Sequence, residues 1–199
     1  MKPIGAGRAS AIFDLGDGRV LRRGGHPERE AGVMRHVAAQ GYSVPEVLEV
    51  RDDALVLELI DGPTMLQDLF RRPWRLRRHA ALLAELHKRL HEIEAVDGDG
   101  RQLHMDLHPE NVILSQEGPV VVDWTNACNG EPPLDVAMTW VIGATSAGIP
   151  GRIFLRSFLP HFDLDEIRRA LPAAGELRLR DPNVTESEKR AVRRLIRRG

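Results

Sequence analysis

The chain has 199 residues, a length that suits one domain or two small lobes sharing a cleft. Hydrophobic residues make up 42% and charged residues 29%, and the formal net charge of −1 gives no general attraction to nucleic acid or to a membrane surface. Cys128 is the only cysteine, which excludes an intrachain disulfide and a cysteine-rich zinc site.

A β-hairpin is predicted near the start of the chain, with strands at residues 11–15 and 20–22. The Asp17-Gly18 pair between them is typical of a tight hairpin turn. Side chains alternate along a strand, so Arg22 and Arg23 are expected on opposite faces. We expect Arg22, which shares the face of Val20, to point inward.

Gly5, Gly7 and Ser10 precede this hairpin. Glycines let backbone N–H groups approach a phosphate closely, and a serine hydroxyl adds a further donor. The glycines begin only four residues into the chain. We therefore expect any strand that precedes them to be truncated.

A helix is predicted over residues 27–40, with proline in its first turn and glycine just beyond its end. Glu30 lies one turn before the apolar Met34 and should face inward with it. Two strands, 44–50 and 54–60, should follow. The Asp61-Gly62-Pro63 sequence then marks a boundary.

Helices are predicted over residues 64–71 and 75–95. His87 and His91 are four residues apart and therefore share one helix face, a spacing that can bind zinc. The sequence shows no evident third ligand for such a site. We therefore interpret both histidines as part of the core or the edge of a cleft.

The segment from His104 to Trp124 contains the most informative pattern. Two apolar runs, 112–114 and 120–122, flank a polar turn and predict a β-hairpin. The hairpin brings Asn111 and Asp123 side by side, within about one residue of register. A carboxylate and an amide oxygen placed together form a plausible Mg²⁺ site.

Asp106 lies five residues before Asn111, in the loop that enters the first strand. Kinase-type phosphoryl-transfer enzymes have this order: the first Asp orients the attacking hydroxyl and accepts its proton, while the Asn and the last Asp hold metal. One alternative gives these residues only capping roles. Another treats His104, Asp106 and His108 as the ligands of a metal-dependent hydrolase.

The remaining elements are mainly helical. An irregular loop is expected over residues 125–133, followed by an apolar helix over 134–147 that residues 148–151 break. Short helices are expected over 152–159 and 165–171. A Thr-x-x-Glu capping box at Thr185 should start a basic C-terminal helix.

The pattern His104-x-Asp106-x-His108-Pro-x-Asn111, followed by Val-Asp123-Trp124, resembles the aminoglycoside phosphotransferase and choline kinase superfamily. This resemblance implies an α+β, protein-kinase-like fold with two lobes. Residues 1–60 would form a small antiparallel-sheet lobe that binds nucleotide, and residues 61–199 a mainly helical catalytic and substrate lobe.

The resemblance also implies roles for individual residues. The glycine-containing segment would cover the phosphates of ATP, and Arg22 would replace the usual lysine, with Glu30 as its partner. The main chain from Glu58 to Ile60 would contact adenine. Asp135, in Pro133-Leu-Asp135-Val-Ala, would support the catalytic loop from below. The full set of expected cofactor-binding residues is Gly5, Gly7, Ser10, Arg22, Glu30, Glu58 and Ile60.

The predicted function is ATP- and Mg²⁺-dependent phosphoryl transfer to a hydroxyl of a small molecule. Asp106 would be catalytic, and Asn111 and Asp123 would bind the metal. The alternative is a nucleotide-binding pseudokinase or regulatory module, which the missing lysine and the short C-terminal region favour. No apolar run approaches the ~20 residues that span a bilayer, and no signal segment is evident, so a cytoplasmic protein without nucleic-acid partners is expected.

Overall fold

The computed structural model describes the backbone of residues 2–6 and the whole of residues 11–197. The N-terminal part is a five-stranded antiparallel sheet in the order β1-β2-β3-β5-β4. Its strands are β1 (Lys2–Ala6), β2 (Ala11–Gly16), β3 (Arg19–Arg23), β4 (Val47–Arg51) and β5 (Ala54–Glu58).

The first strand, β1, corrects the expectation of a truncated strand before the glycines. It pairs with β2 from Lys2 opposite Asp14 to Ala6 opposite Ala11. Pro3 and Gly5 are poor strand residues, but β1 is an edge strand, where a missing donor on the outer side costs little. Gly5 therefore lies in a strand, and Gly7 and Ser10 lie outside the described residues.

Helix α1 (Pro27–Ala39) lies against this sheet, with Glu30 and Met34 buried as the helix pattern predicts. Strand β4 begins at Val47, three residues later than predicted. Pro45 precedes it, and a proline nitrogen donates no ladder hydrogen bond, which explains the late start. Strand β5 ends at Glu58, two residues earlier than predicted.

Two helices lead from the sheet into the larger, mostly helical part. Helix α2 (Met65–Arg71) begins with a complete capping box between Thr64 and Gln67. Helix α3 (Leu76–Leu90) buries the stripe that contains Leu83, Leu86 and Leu90, and it ends five residues before the predicted end.

Two short antiparallel ribbons lie between the sheet and the last helices. Strands β7 (Val112–Leu114) and β8 (Pro119–Val121) form the predicted hairpin, with Val112 opposite Val121. Strand β6 (Arg101–Leu103) pairs with β9 (Cys128–Gly130). The loop predicted over 125–133 was therefore wrong in part, because β9 finds its partner some 27 residues away in sequence, which no local pattern indicates.

Four helices complete the chain: α4 (Pro132–Thr145), α5 (Gly148–Phe158), α6 (Leu164–Arg180) and α7 (Glu186–Ile196). Residues 148–151 form the first turn of α5 rather than a separate break. Helix α6 continues nine residues beyond the predicted end, through Pro172, because Ile167, Leu171 and Ala174 form one buried face. The α+β, protein-kinase-like architecture is thus confirmed. Among the described helices, none is long and apolar enough to cross a membrane.

Candidate active site

The loop from His104 to Asp106 is held from below by Asp135, which lies in the first turn of α4. Asp135 is fully buried. Its Oδ1 accepts a hydrogen bond from the Met105 N–H at 2.7 Å, and its Oδ2 accepts one from the His104 N–H at 3.1 Å. Met105 has a φ of 63°, a strained conformation that these two bonds help to hold. The predicted supporting position of Asp135 matches this geometry.

His104 connects the same loop to the β7–β8 hairpin. Its Nδ1 accepts from the Asp106 N–H at 3.3 Å, so the proton is on Nε2, which donates to the Val122 carbonyl at 3.1 Å. Burial lowers the pKa of His104 and keeps the ring neutral. Both ring nitrogens are occupied, and Met105 breaks the strand geometry, so His104, Asp106 and His108 do not form the ligand set of a hydrolase.

Asp106 and Asn111 are in direct contact, as their spacing predicts. The Asn111 Nδ2 donates to the Asp106 carbonyl at 2.9 Å and to Asp106 Oδ2 at 3.2 Å. His108 Nε2 lies 3.5 Å from the other carboxylate oxygen of Asp106. Burial raises the pKa of Asp106 to about 6, against the opposing effect of His104. A buried carboxylate with a pKa near neutrality suits a general base.

The hairpin brings Asn111 and Asp123 to one end, as predicted. The Val122 N–H donates to the Asn111 carbonyl at 3.0 Å, which places Asp123 one residue beyond Asn111 in register. A main-chain carbonyl only accepts, so the bond to Asp106 fixes Nδ2 as the donor and leaves the Oδ1 of Asn111 for another partner. Asp123 has a φ of 64° and a side chain that is 37% exposed.

The donor set at this end fits a magnesium ion. Within the described part of the chain, no hydrogen bond occupies Asn111 Oδ1 or Asp123 Oδ2. Both are hard oxygen ligands, and Mg²⁺ commonly binds one or two such groups and fills its other positions with water and phosphate oxygens. The two residues could therefore hold the metal together with a bound nucleotide.

Arg22 reaches the same end from β3. Its Nη1 donates to Glu30 at 2.5 Å, and its Nη2 donates to Asp123 Oδ1 at 2.8 Å and to the Thr125 hydroxyl. Arg23 points outward instead, where it pairs with the exposed Asp53. The predicted inward direction of Arg22 and its pairing with Glu30 agree with the geometry.

The surroundings of Arg22 shift the pKa values of both carboxylates that it contacts, Glu30 and Asp123. Burial raises the pKa of Glu30 to about 7, although Arg22 opposes the shift. Burial acts in the same direction on Asp123, but Arg22 and the Thr125 hydroxyl outweigh it and hold the pKa of Asp123 below its usual value. Asp123 is therefore ionised at neutral pH, as a metal ligand must be.

The predicted adenine-contacting segment follows β5. The Glu58 N–H donates to the Glu46 carbonyl at 3.0 Å, and the Leu59 N–H donates to the Gly18 carbonyl at 2.9 Å. Neither main-chain group of Ile60 bonds to another described residue. Ile60 is thus the residue of this segment whose N–H remains available to a ligand.

Two residues near the site were missed in the sequence. Thr125 fixes the Asp123 carboxylate with a hydrogen bond of 2.8 Å, and only its position two residues after Asp123 could have indicated this role. Arg178, near the end of α6, acts electrostatically on Asp106. Its Nη1 donates to Asp181 at 3.3 Å, and its buried Nε has no hydrogen-bond partner among the described residues. The early predicted end of α6 concealed Arg178.

Solved structures similar to this fold include aminoglycoside phosphotransferases and a choline/ethanolamine kinase family protein. Aminoglycoside phosphotransferase APH(4)-Ia superposes with a TM-score of 0.73 and 17% identity, covering 100% of this chain and 93% of its own. A choline/ethanolamine kinase family protein from Mesorhizobium loti superposes with a TM-score of 0.65 and 20% identity, covering 99% of this chain and 85% of its own. A thermostable mutant of APH(4)-Ia superposes with a TM-score of 0.72 and 17% identity, covering 100% of this chain and 93% of its own. That structure is a ternary complex with AMP-PNP and hygromycin B. At 17–20% identity these similarities show the fold alone, and it is the protein-kinase-like fold.

Residues 61–180, which are more than half of the chain, match the sequence profile of the phosphotransferase enzyme family. The chain belongs to this family. A shorter stretch of 39 residues is 41% identical to thiamine kinases of Salmonella paratyphi B and Salmonella newport. That stretch is 20% of this chain and only 14% of the length of those enzymes.

Proposed function

We propose that the protein transfers the γ-phosphoryl group of ATP to a hydroxyl of a small molecule in the cytoplasm. The observation that carries the proposal is the convergence of three side chains around one point. Asp106 and Asn111 are in contact, and the hairpin register puts Asp123 beside Asn111. Family membership and the AMP-PNP complex of a neighbour of the same fold support the proposal.

Asp106 is the proposed catalytic residue. Its raised pKa and its contact with Asn111 suit a group that orients the acceptor hydroxyl and takes its proton as the phosphoryl group is transferred. The Asn111 Nδ2 donates to the carboxylate of Asp106 and holds it in place, and the Asp135 bonds hold the main chain beneath it. Such positioning supplies much of the rate enhancement in phosphoryl transfer.

Asn111 and Asp123 are the proposed magnesium ligands. A bound Mg²⁺ would supply charge neutralisation on the β- and γ-phosphates. Arg22 would contact the phosphates with its guanidinium, whose fork replaces the point charge of a lysine. Because Glu30 holds one side of that guanidinium, Arg22 stays directed at the site when Asp123 turns toward a metal.

The nucleotide would lie between two lobes, residues 1–60 and 61–199. Gly5, Gly7 and Ser10 are proposed to cover the phosphates, and the main chain of Glu58 to Ile60 to meet the adenine edge. Of these groups, the Ile60 main chain has the strongest support, because its neighbours Glu58 and Leu59 already donate to protein carbonyls.

The acceptor would approach Asp106 on the side of His108 and Arg178. His108 lies 3.5 Å from the Asp106 carboxylate, and the Nε of Arg178 is a buried donor without an acceptor among the described residues. A hydroxyl or carbonyl oxygen of the acceptor would satisfy that donor. The acceptor is thus proposed to be a polar small molecule, the class that includes hygromycin B, which the mutant APH(4)-Ia binds.

One observation favours a second candidate, a nucleotide-binding module with little catalysis. Arg22 donates directly to Asp123, the residue that should hold the metal. If this contact persists with nucleotide bound, Asp123 has one oxygen fewer for Mg²⁺. The two candidates make different predictions for turnover and the same prediction for nucleotide binding.

The test is a screen for ADP release with Mg·ATP and a library of hydroxyl compounds that includes thiamine, choline-like alcohols, sugars and aminoglycosides. The proposal expects release that depends on one acceptor and is lost in Asp106→Asn. Thermal stabilisation by Mg·ATP without turnover on any acceptor would support the second candidate. If Mg·ATP neither stabilises the protein nor is consumed, both candidates are wrong.

A further inference from the structure

A second cluster of ligand-type side chains lies beneath the catalytic loop. His87 and His91 extend from one face of α3, and Asp135 meets them from α4. One ligand atom from each residue lies within 4.8 Å of the others. Asp135 is thus a third side chain of ligand type that the sequence did not reveal, 44 residues beyond His91.

The distances suit a single small cation. His91 Nε2 lies 3.0 Å from Asp135 Oδ2, and His87 Nδ1 lies 3.6 Å from the same oxygen. Ligands about 2.0–2.1 Å from a tetrahedral Zn²⁺ are separated by roughly 3.3 Å, the midpoint of these two values.

The independent observation is the buried Nδ1 of His87, which has no hydrogen-bond partner among the described residues. His87 is fully buried. The Thr139 hydroxyl donates to the Leu107 carbonyl at 2.8 Å, so its oxygen can only accept from His87 Nε2, 3.2 Å away. Nδ1 lies 3.6 Å from Asp135 Oδ2, beyond hydrogen-bond distance, and a cation between the two atoms would contact both.

We propose that His87, His91 and Asp135 bind a divalent transition-metal ion, best matched by Zn²⁺, at a site distinct from the nucleotide-linked magnesium site. Two imidazoles and one carboxylate suit zinc far better than magnesium. The surrounding bonds orient each ligand: Thr139 holds His87, and the N–H groups of His104 and Met105 hold the carboxylate of Asp135.

A groove of about 240 Å³ reaches His91 from the surface and supplies an entry path. Asp163 and Glu166 line it, opposite Lys88, so its mouth carries a net negative charge. Water in the groove would provide the fourth ligand. The bound ion would connect α3 with α4 and thereby brace the residue on which the catalytic loop rests.

The test uses the full chain, stripped with a chelator and titrated with ZnCl₂ by calorimetry in the absence of nucleotide. We expect one Zn²⁺ per chain and a rise in melting temperature. His91→Ala should weaken binding by at least about 100-fold, because even changes to residues that only orient a ligand cost about 10–100-fold. The control is His26→Ala, which removes an exposed histidine far along the chain and should bind zinc like the parent.

Absence of stoichiometric binding, or equal binding by His91→Ala and His26→Ala, would overturn the proposal. If His91→Ala fails to fold, the visible absorption spectrum of Co²⁺ bound to the parent protein tests the proposed ligand set instead. Strong visible absorption, typical of four-coordinate Co²⁺ with nitrogen ligands, supports the site. The weak absorption of six-coordinate Co²⁺ contradicts it.

Discussion

The catalytic loop and the Arg22 region meet at the same site but are held in different ways. The loop at residues 104–106 is fixed by hydrogen bonds from its own main chain to the buried Asp135 and by the His104 bond to Val122. The main chain of Arg22 lies in the sheet, but its guanidinium is held by side chains, those of Glu30, Asp123 and Thr125. The loop is therefore preorganised before any ligand binds, whereas Arg22 is able to exchange Asp123 for a phosphate.

Removal of the carboxylate that the loop positions should have the largest effect. Asp106→Asn keeps the shape of the side chain but removes its proton acceptor. Turnover of the acceptor identified in the screen should fall by about 10²–10⁴-fold, while the melting temperature stays close to that of the parent. Steady-state kinetics on both proteins would measure this, and unchanged turnover would place the chemistry elsewhere.

Asp135→Ala tests whether the loop depends on its buried support. The substitution leaves the N–H groups of His104 and Met105 without acceptors and removes a buried charge from two histidines. The free energy of unfolding should drop by about 3–5 kcal/mol. Urea denaturation would show this drop. A loss below about 1 kcal/mol would mean that the loop is held by other contacts.

Arg22→Ala and Arg23→Ala form a matched pair on adjacent positions of β3. Arg22→Ala leaves Glu30 buried without its partner; because the pKa of Glu30 is already about 7, protonation limits the loss to about 1–3 kcal/mol. Arg23→Ala, at an exposed site, should stay within about 0.5 kcal/mol of the parent. Equal losses in denaturation experiments would show that the two side chains do not face opposite ways.

The smallest of the expected effects is the change of kcat/KM with pH. Asp106, the proposed base, would act in its ionised form, and burial raises its pKa to about 6. The value of kcat/KM should therefore rise as pH increases through about 6 and level off above it. Because burial raises the pKa of Asp106 from 3.8 to about 6, the fold loses stability as pH increases between those two values, where the unfolded chain has released this proton and the folded chain has not. A profile that stays flat down to pH 5 would contradict the role of Asp106.

Much of the site could be predicted because its key contacts are local in sequence. Asp106 and Asn111 are five residues apart, and one hairpin joins Asn111 to Asp123, so turn chemistry and strand register suffice to bring them together. Strand alternation gave the direction of Arg22, and helix periodicity gave the direction of Glu30. These patterns do not depend on the rest of the fold.

The features that were missed depend on contacts between distant segments. The His87–His91 pair meets Asp135 only because the C-terminal end of α3 comes close to the first turn of α4. Helix α6 continues through Pro172 because its buried face is stabilised by packing, which overrides the local cost of a proline. Strand β1 exists because β2 offers a pairing edge, although Pro3 and Gly5 disfavour a strand.

The most direct test of the proposed chemistry compares ATP affinity in Asp106→Asn and Asp123→Asn, each measured with and without Mg²⁺. Asp106 should act on the acceptor, so Asp106→Asn should bind Mg·ATP within a few-fold of the parent while its turnover collapses. Asp123→Asn removes a charged metal ligand, so its Mg²⁺-dependent gain in ATP affinity should largely disappear along with turnover. If Asp106→Asn abolishes Mg·ATP binding while Asp123→Asn retains it, the assigned roles are contradicted.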